Sequence, residues 1–150
     1  MDMRNFLFTG FLFFAGEALS QVNTFMERQR PVIVGQRPDV KNVFKTVEKG
    51  VSSGSIVSFS NRFGPQVHVS ITGKDEGYFS ANQTTSVLQS YFVPLKPVSF
   101  TFSRFHEKGE NPYATGRLTY IARGNQESVQ IYVSLSLHDS EWVISQFNVY

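Results

Sequence analysis

The spacing of apolar residues predicts a domain that begins with helices and ends with strands. Asp39 is placed to cap a helix, because its short acidic side chain can accept hydrogen bonds from the first free backbone N–H groups. Beyond it, valine and phenylalanine recur every three or four residues, as on one face of a helix. The apolar stripe of this first helix comprises Val40, Val43, Phe44, Val47 and Val51.

The segment "SGSIVSFSNRFG", residues 53–64, combines polar side chains with apolar ones at helical spacing. Ile56, Phe59 and Phe63 are three and four residues apart, which predicts a short second helix that buries these three side chains. Ser58 falls between them and is expected to face water. We therefore interpret this segment as a packing element rather than as a polar site.

The apolar period changes from helical to alternating after the second helix. Residues 66–71 place valine and isoleucine on one face and His68 on the other, as in a half-buried strand. A short strand is predicted at residues 78–79. A capping box that begins at Ser80 predicts a third helix, which runs to about Phe92.

Four longer alternating runs follow, separated by turn sequences. They occupy residues 98–105, 113–122, 128–137 and 142–150. Their outer positions are mostly Ser, Thr, Gln and Arg, which is typical of an antiparallel sheet with one face on the core and the other in water or against a partner. The element order predicts one α+β domain over residues 39–150, with N-terminal helices packed on a strongly curved antiparallel sheet.

The segment before this domain carries targeting and linker signals. Arg4 precedes an apolar run from Phe6 to Ala15, and small residues lead up to Ser20, so residues 1–20 are predicted to be a secretory signal peptide. The run is shorter than the roughly 20 residues that a membrane span needs. Residues 21–38 repeat Gln-Arg-Pro and predict a flexible linker. We expect an exported protein, periplasmic or extracellular, with no stable membrane span after cleavage.

Composition narrows the classes of partner and chemistry. The chain of 150 residues has a net charge of +2 and a pI of about 9.0, but no block of Lys and Arg, so we do not expect it to bind nucleic acid. It contains no cysteine, which excludes disulfides, thiol catalysis and thiolate metal sites.

Several packing motifs recur along residues 39–150. They are "GSIVSFSNRF", "GKDEGYFSANQTTSVLQSYF", "KPVSFTF", "YATGRL", "VQIYVSL" and "WVISQFNV". In these motifs the chain resembles the secreted bacterial family called domain of unknown function 4783, within the nuclear-transport-factor-2-like (cystatin-like) superfamily. The resemblance implies a cone-shaped α+β barrel, and it carries over no catalytic residue.

The same resemblance implies a place for a ligand without implying an activity. In this superfamily a long helix and the sheet enclose a pocket that opens at the wide end of the cone. Enzymes such as ketosteroid isomerase and scytalone dehydratase place an Asp or a His inside it, whereas other members are binding or dimerisation modules. Fold alone therefore leaves both classes open.

No predicted strand interior contains an Asp or a Glu. Asp and Glu residues of the strand region fall in turns or at strand ends, and Glu48 lies on the solvated face of the first helix. His68 is expected to face outward, and His106 and His138 lie at strand margins. Metal-ligand spacings and phosphate-binding glycine loops are absent from the sequence. We predict no catalytic residue, no metal and no cofactor.

The aromatic side chains are the one feature of the sequence that favours an internal pocket. They would line a cavity in the cone, with polar contacts at its mouth, or they would fill the cone as an ordinary core. The candidate lining residues are Tyr78, Phe79, Phe100, Phe102, Arg104, Tyr113, Tyr120 and Trp142. The open face of the sheet is a separate candidate surface for a homodimer, and its outward residues include Thr115, Arg117, Thr119, Tyr132 and Ser134.

Two functions remain in competition. The first is an exported, non-catalytic binding or interaction module, which holds a small apolar ligand or a protein partner in the cone or pairs with itself through the open sheet. The second is a small hydrolase, isomerase or dehydratase that uses His68 or His106 with Tyr78 or Tyr113. The second requires a bulge that turns a histidine toward the cavity.

Overall fold

The structure, a computed structural model, describes residues 40–150. The signal peptide predicted at residues 1–20, the linker predicted at 21–38 and the predicted helix cap at Asp39 lie outside the described residues.

The elements follow the order that the sequence predicted. They are α1 (Val40–Ser52), a 3-10 helix η1 (Ile56–Arg62), β1 (Phe63–Ile71), β2 (Glu76–Phe79), α2 (Ala81–Phe92), β3 (Pro97–His106), β4 (Tyr113–Ala122), β5 (Asn125–His138) and β6 (Glu141–Val149). The helices pack on one face of a single sheet, so the predicted α+β class is confirmed. None of the helices in this part of the chain is long and apolar enough to cross a membrane.

The six-stranded sheet has the order β2-β1-β6-β5-β4-β3. Strands β3 to β6 form the predicted antiparallel meander. Strand β1 is antiparallel to β2 and parallel to β6. The alternation of apolar and polar residues within each strand could not predict these pairings. Strands β2 and β3 are the two edges of an open sheet, so the strands do not close into the barrel that the resemblance implied.

The first helix buries the predicted apolar stripe. Val43, Phe44, Val47 and Val51 are almost completely buried, whereas Val40 is only partly covered. Gly50 is buried against the ring of Phe59, whose Cδ1 and Cε1 occupy the space that a Cβ at residue 50 would need. The glycine therefore permits close packing between α1 and η1.

The segment at residues 53–64 is the predicted packing element. Ile56 and Phe59 are fully buried, and Ser58 is exposed, with its hydroxyl donating to the Ser55 carbonyl at 2.7 Å. The helix is of the 3-10 type and is kinked at Phe59, where φ is −124°. Phe63 is the first residue of β1 and not part of the helix, and its side chain is also buried.

Helix α2 begins with the predicted capping box. The Ser80 hydroxyl accepts from the Gln83 backbone N–H at 3.3 Å, and the Gln83 amide oxygen accepts from the Ser80 N–H at 3.0 Å. Gln89 then joins α2 to η1, since its side chain accepts from the Ile56 N–H and donates to the Gly54 carbonyl.

The aromatic rings fill the layer between the helices and the sheet. Phe44 meets Phe102 with ring centroids 5.5 Å apart, and Phe92 meets Phe147 at 6.1 Å. Phe59 stacks on Phe147 at 6.5 Å. Each such buried side chain stabilises the fold by roughly 1.5–3 kcal/mol through removal of apolar surface from water.

Among the register shifts of the sheet, those at Ser103 and Ser145 decide which residues reach the face away from the helices. On β3 the pairing with β4 shifts between Phe102 and Arg104, so Ser103 is an extra residue. On β6 the pairing with β5 shifts in the same way at Ser145. Beyond each bulge the alternation resumes with the opposite parity, and this places Arg104 on the face away from the helices.

Candidate binding cleft on the outer face of the sheet

The sheet has an inner face, packed on the helices, and an outer face, which no described element covers. Because cross-strand neighbours share a face, the strand register identifies the residues that stand side by side on the outer face. One set of neighbours, which we call the outer row, crosses the sheet from edge to edge. It consists of Tyr78, His68, Gln146, Ser134, Tyr113 and His106.

A second row lies beside the outer row. It consists of Glu76, Ser70, Asn148, Tyr132, Thr115 and Arg104. Asn148 at its centre is only 4% exposed. Its Nδ2 donates to the Tyr150 hydroxyl at 2.9 Å, but its buried Oδ1 has no hydrogen-bond partner in the described chain.

Aromatic rings form two groups on this face. Near one edge, His68 and Tyr78 meet edge to face with ring centroids 5.0 Å apart. Toward the other edge, Tyr113 stacks with His106 at 5.1 Å and with Tyr132 at 5.4 Å. The two groups face each other across the polar middle of the outer row.

A cleft of about 460 Å³ occupies the space between the two aromatic groups. His68, Tyr78 and Tyr132 form its walls, and its remaining lining residues are Asn111, Ser134, Ser145 and Gln146. No lysine, arginine, aspartate or glutamate is among these described lining residues. The cleft is therefore polar without carrying a fixed charge.

The amide side chains of this cleft have unused hydrogen-bonding capacity. Neither Gln146 nor Asn111 makes a side-chain hydrogen bond to any other described residue, whereas the Ser145 hydroxyl donates to the Ser134 carbonyl at 3.3 Å. Each free amide presents two donated hydrogens and one accepting oxygen. Gln146 is held on β6, Asn111 lies in the turn between β3 and β4, and both amides are available to a bound molecule.

The eight residues predicted to line an internal pocket are dispersed in the structure. Five of them line five different depressions, and the other three line none of these. Phe100 and Phe102 are buried in the core, Phe79 packs at its margin, and Trp142 is buried beside a surface depression at Leu137.

The polar members of that predicted set do not lie at the mouth of a cone. Tyr78, Arg104 and Tyr113 lie on the outer face, Arg104 because of the bulge at Ser103. Tyr120 donates its hydroxyl to the Glu127 carboxylate at 3.2 Å. Partial burial, and then this hydrogen bond, raise the pKa of Tyr120, so its phenol stays protonated at neutral pH.

Glu48 departs from the expected placement on a solvated helix face. It is half-buried, and its carboxylate accepts the backbone N–H of Phe102 at 2.9 Å. Strand β3 is an edge strand, so this N–H has no neighbouring strand on that side. Glu48 is therefore a structural carboxylate that ties α1 to the edge of the sheet.

The histidine–tyrosine pairs of the enzyme hypothesis do form, but on the outer face. His68 contacts Tyr78 and His106 contacts Tyr113 through their rings. Within residues 40–150 neither histidine has a carboxylate in ion-pair range, and no group of three or more His, Asp or Glu residues is arranged to hold a metal ion.

Comparison with known proteins bears on both the family and the fold. The family model described as "Domain of unknown function (DUF4783)" matches residues 44–149. No curated protein matches the chain in sequence.

Solved structures of low sequence identity share the fold. A DUF4783 family protein from Bacteroides uniformis is 15% identical, with a TM-score of 0.63, over 70% of this chain and 93% of that chain. One from Bacteroides ovatus is 17% identical, with a TM-score of 0.63, over 77% and 96%. An NTF-2-like protein of unknown function from Shewanella oneidensis is 14% identical, with a TM-score of 0.53, over 73% and 94%.

Proposed function

The chain belongs to the DUF4783 family, and we propose that it is a non-catalytic binding module that holds its ligand on the outer face of the sheet. The observation that carries the proposal is the cleft between the two aromatic groups, where the amides of Gln146 and Asn111 have no internal partner. Polar groups placed on β6 and on the β3–β4 turn, between aromatic walls, provide the orientation and contact area that a small ligand requires.

The outer cleft replaces the internal apolar pocket as the proposed binding site. The phenylalanines that would have lined an internal pocket contact one another, as Phe100 does with Phe102 at 4.9 Å. The centre of the layer between the helices and the sheet is thus filled by side chains, and a ligand there would have to displace core residues. The depression lined by Phe44, Phe102 and Phe105 lies at the sheet edge, between α1 and β3.

The non-catalytic part of the proposal rests on the environment of the histidines. General acid–base catalysis requires a proton-transferring group that is oriented by a hydrogen-bonding partner. His68 meets Tyr78 ring to ring, and no described carboxylate orients it. This favours a role for His68 in ligand contact over a role in proton transfer.

We also propose that the protein is exported, on the basis of the signal-peptide pattern in residues 1–20. Mass spectrometry of the protein secreted by an expression host is expected to find an N-terminus at Gln21. A full-length protein retained in the cytoplasm would contradict this proposal.

Thermal-shift measurements test the proposed site. The full chain is titrated with neutral oligosaccharides, fatty acids and nucleotides, since a ligand at about 100 times its Kd adds about 2.7 kcal/mol to stability. We expect at least one class to raise the Tm of the wild type but not that of Gln146→Ala. Gln126→Ala, at the far end of β5, is the matched control and is expected to respond like the wild type.

The proposal fails if every Tm increase persists in Gln146→Ala, because the binding site would then lie elsewhere. It also fails if no class acts and the protein is monomeric.

Self-association through the same face is the second candidate function. The second row begins with Glu76 and ends with Arg104, so two copies related by a twofold axis along the strands would place opposite charges together. The same arrangement brings the unpartnered Oδ1 of Asn148 near Tyr132 of the other copy. Native mass spectrometry would then detect a dimer that Gln146→Arg dissociates and Gln126→Arg does not.

A further inference from the structure

Resting on the proposed function, we propose that the ligand of the outer cleft is a neutral oligosaccharide. Four properties of the cleft lead to this class of ligand: its charge, its hydrogen-bonding groups, its aromatic walls and its length.

The absence of charged lining residues selects a neutral ligand. A phosphate or carboxylate would lose its hydration without gaining a cationic partner in the cleft. The arginines of the outer face, Arg104 and Arg117, line a separate and smaller depression on β3 and β4. An anionic ligand would therefore be drawn to that depression rather than to the cleft.

The amides and hydroxyls in the cleft select a polar ligand. A fatty acid chain would bury the amides of Gln146 and Asn111 without partners, and each unsatisfied group would oppose binding. Sugar hydroxyls both donate and accept hydrogen bonds. They match amide side chains, which offer donors and an acceptor from the same group.

The aromatic walls select a ligand with flat, weakly polar faces. The side chain of Tyr78 is 69% exposed, and its ring leans on His68 at the open end of the cleft. Tyr132 stands on the other side, supported by Tyr113. The C–H face of a sugar ring can stack on these aromatic rings while the hydroxyl groups at its rim reach the amides. Tyrosine likewise combines an apolar ring with a polar hydroxyl group.

The length of the cleft favours a ligand of several linked sugars over a monosaccharide. Its lining extends from Tyr78 on β2 to Ser134 on β5, which is three strand intervals or about 14 Å at the usual strand spacing. Tyr113 and His106 continue the outer row toward the β3 edge. This distance exceeds one sugar ring, so we expect a tetrasaccharide to bind more tightly than its monosaccharide.

Calorimetric titration of the exported protein tests this inference. The probes are unsubstituted tri- and tetrasaccharides of glucose, mannose, xylose and N-acetylglucosamine, each with its monosaccharide. We expect at least one tetrasaccharide to bind and Tyr78→Ala and Gln146→Ala to weaken that binding about tenfold, the effect of losing one or two contacts. Tyr78→Phe keeps the ring and is expected to recover most of the affinity that Tyr78→Ala loses. Gln126→Ala changes an amide outside the cleft and is the control that is expected to bind like the wild type.

The outcomes distinguish this inference from the proposed function. If no saccharide binds but a fatty acid or a nucleotide raises the Tm in a Gln146-dependent manner, the ligand class is wrong and the binding module remains. If saccharide binding is unaffected by Tyr78→Ala and Gln146→Ala, the cleft is not the saccharide site. If the only association is a dimer that Gln146→Arg dissociates, a second copy occupies the face and the inference is overturned.

Discussion

The inner and outer faces of the same sheet use alternate residues of the same strands for different purposes. On β5, Ile131, Val133 and Leu135 point inward and are fully buried. Between them, Tyr132 and Ser134 point outward and border the cleft. These three inner side chains pack against other core residues, whereas several polar groups of the outer face have no hydrogen-bond partner among residues 40–150.

From this difference we expect residues of the inner face to determine the stability of the fold and residues of the outer face to determine ligand binding. Substitutions on the inner face should lower the free energy of unfolding, because they remove packing or introduce clashes. Substitutions on the outer face should leave it nearly unchanged and should alter ligand binding instead. The predictions below test that separation, beginning with the largest expected effect.

Removal of the Phe59 ring should produce the largest loss of stability. The side chain is fully buried between Gly50, Phe63 and Phe147, so Phe59→Ala would leave a cavity in the core and destabilise the protein by about 3–5 kcal/mol. Ser58→Ala, one residue away and exposed, should change stability by no more than about 0.5 kcal/mol. Urea unfolding measures both, and equal effects would mean that η1 does not pack as described.

Addition of a methyl group at Gly116 should be the next most disruptive change. A Cβ at this position would collide with the Thr101 carbonyl oxygen and would lie 2.9 Å from the Phe102 Cα. Backbone atoms of a paired strand cannot yield easily, so Gly116→Ala should destabilise by about 3 kcal/mol, the upper part of the usual range for overpacking. Thr115→Ala on the outer face of the same strand is the control, and a similar loss in both variants would contradict the assigned facing.

The Glu48 carboxylate should make a smaller contribution. Glu48→Ala leaves the Phe102 N–H on the edge strand without its acceptor, and partial exposure to water reduces the penalty to about 1–2 kcal/mol. Glu48→Gln retains an acceptor oxygen and should recover most of the loss. If both variants unfold at the same urea concentration as the wild type, the hydrogen bond does not stabilise the edge.

Local periodicity predicted the part of the inner face that lies away from bulges and strand ends. Val67 and Val69 in β1 were assigned to the core because alternation is a property of neighbouring residues, and both are fully buried. The capping box at Ser80 and the packing of Phe59 were predictable for the same reason.

The outer cleft depends on features that are not local. Ser103 and Ser145 resemble ordinary strand serines, and nothing in their neighbourhood indicates that each is a bulge. His68 and Gln146 become neighbours only through the parallel pairing of β1 with β6, strands from opposite ends of the domain. The outward facing of His68 was predictable, but the residues that would stand beside it were not.

Substitution of Asn148 should have the smallest effect on stability and tests the comparison between the two faces of the sheet, because Asn148 is a buried polar residue on the outer face. Its Oδ1 has no partner in the described chain, so Asn148→Val should remove an unsatisfied atom and favour the strand, which would raise stability by up to about 1 kcal/mol. Ser70→Val on the neighbouring strand measures the gain from strand propensity alone and should give a smaller increase in stability.

The inner layer has unpartnered atoms of its own at Thr84 and Trp142, so a polar atom without a partner does not by itself define a site. If Asn148→Val lowers stability, the lost hydrogen bond from Nδ2 to Tyr150 outweighs the removal of the unpartnered Oδ1, and the outer face is not frustrated at this position. A gain in stability with weaker ligand binding or dimerisation would mean that Asn148 is retained for recognition at some expense of folding.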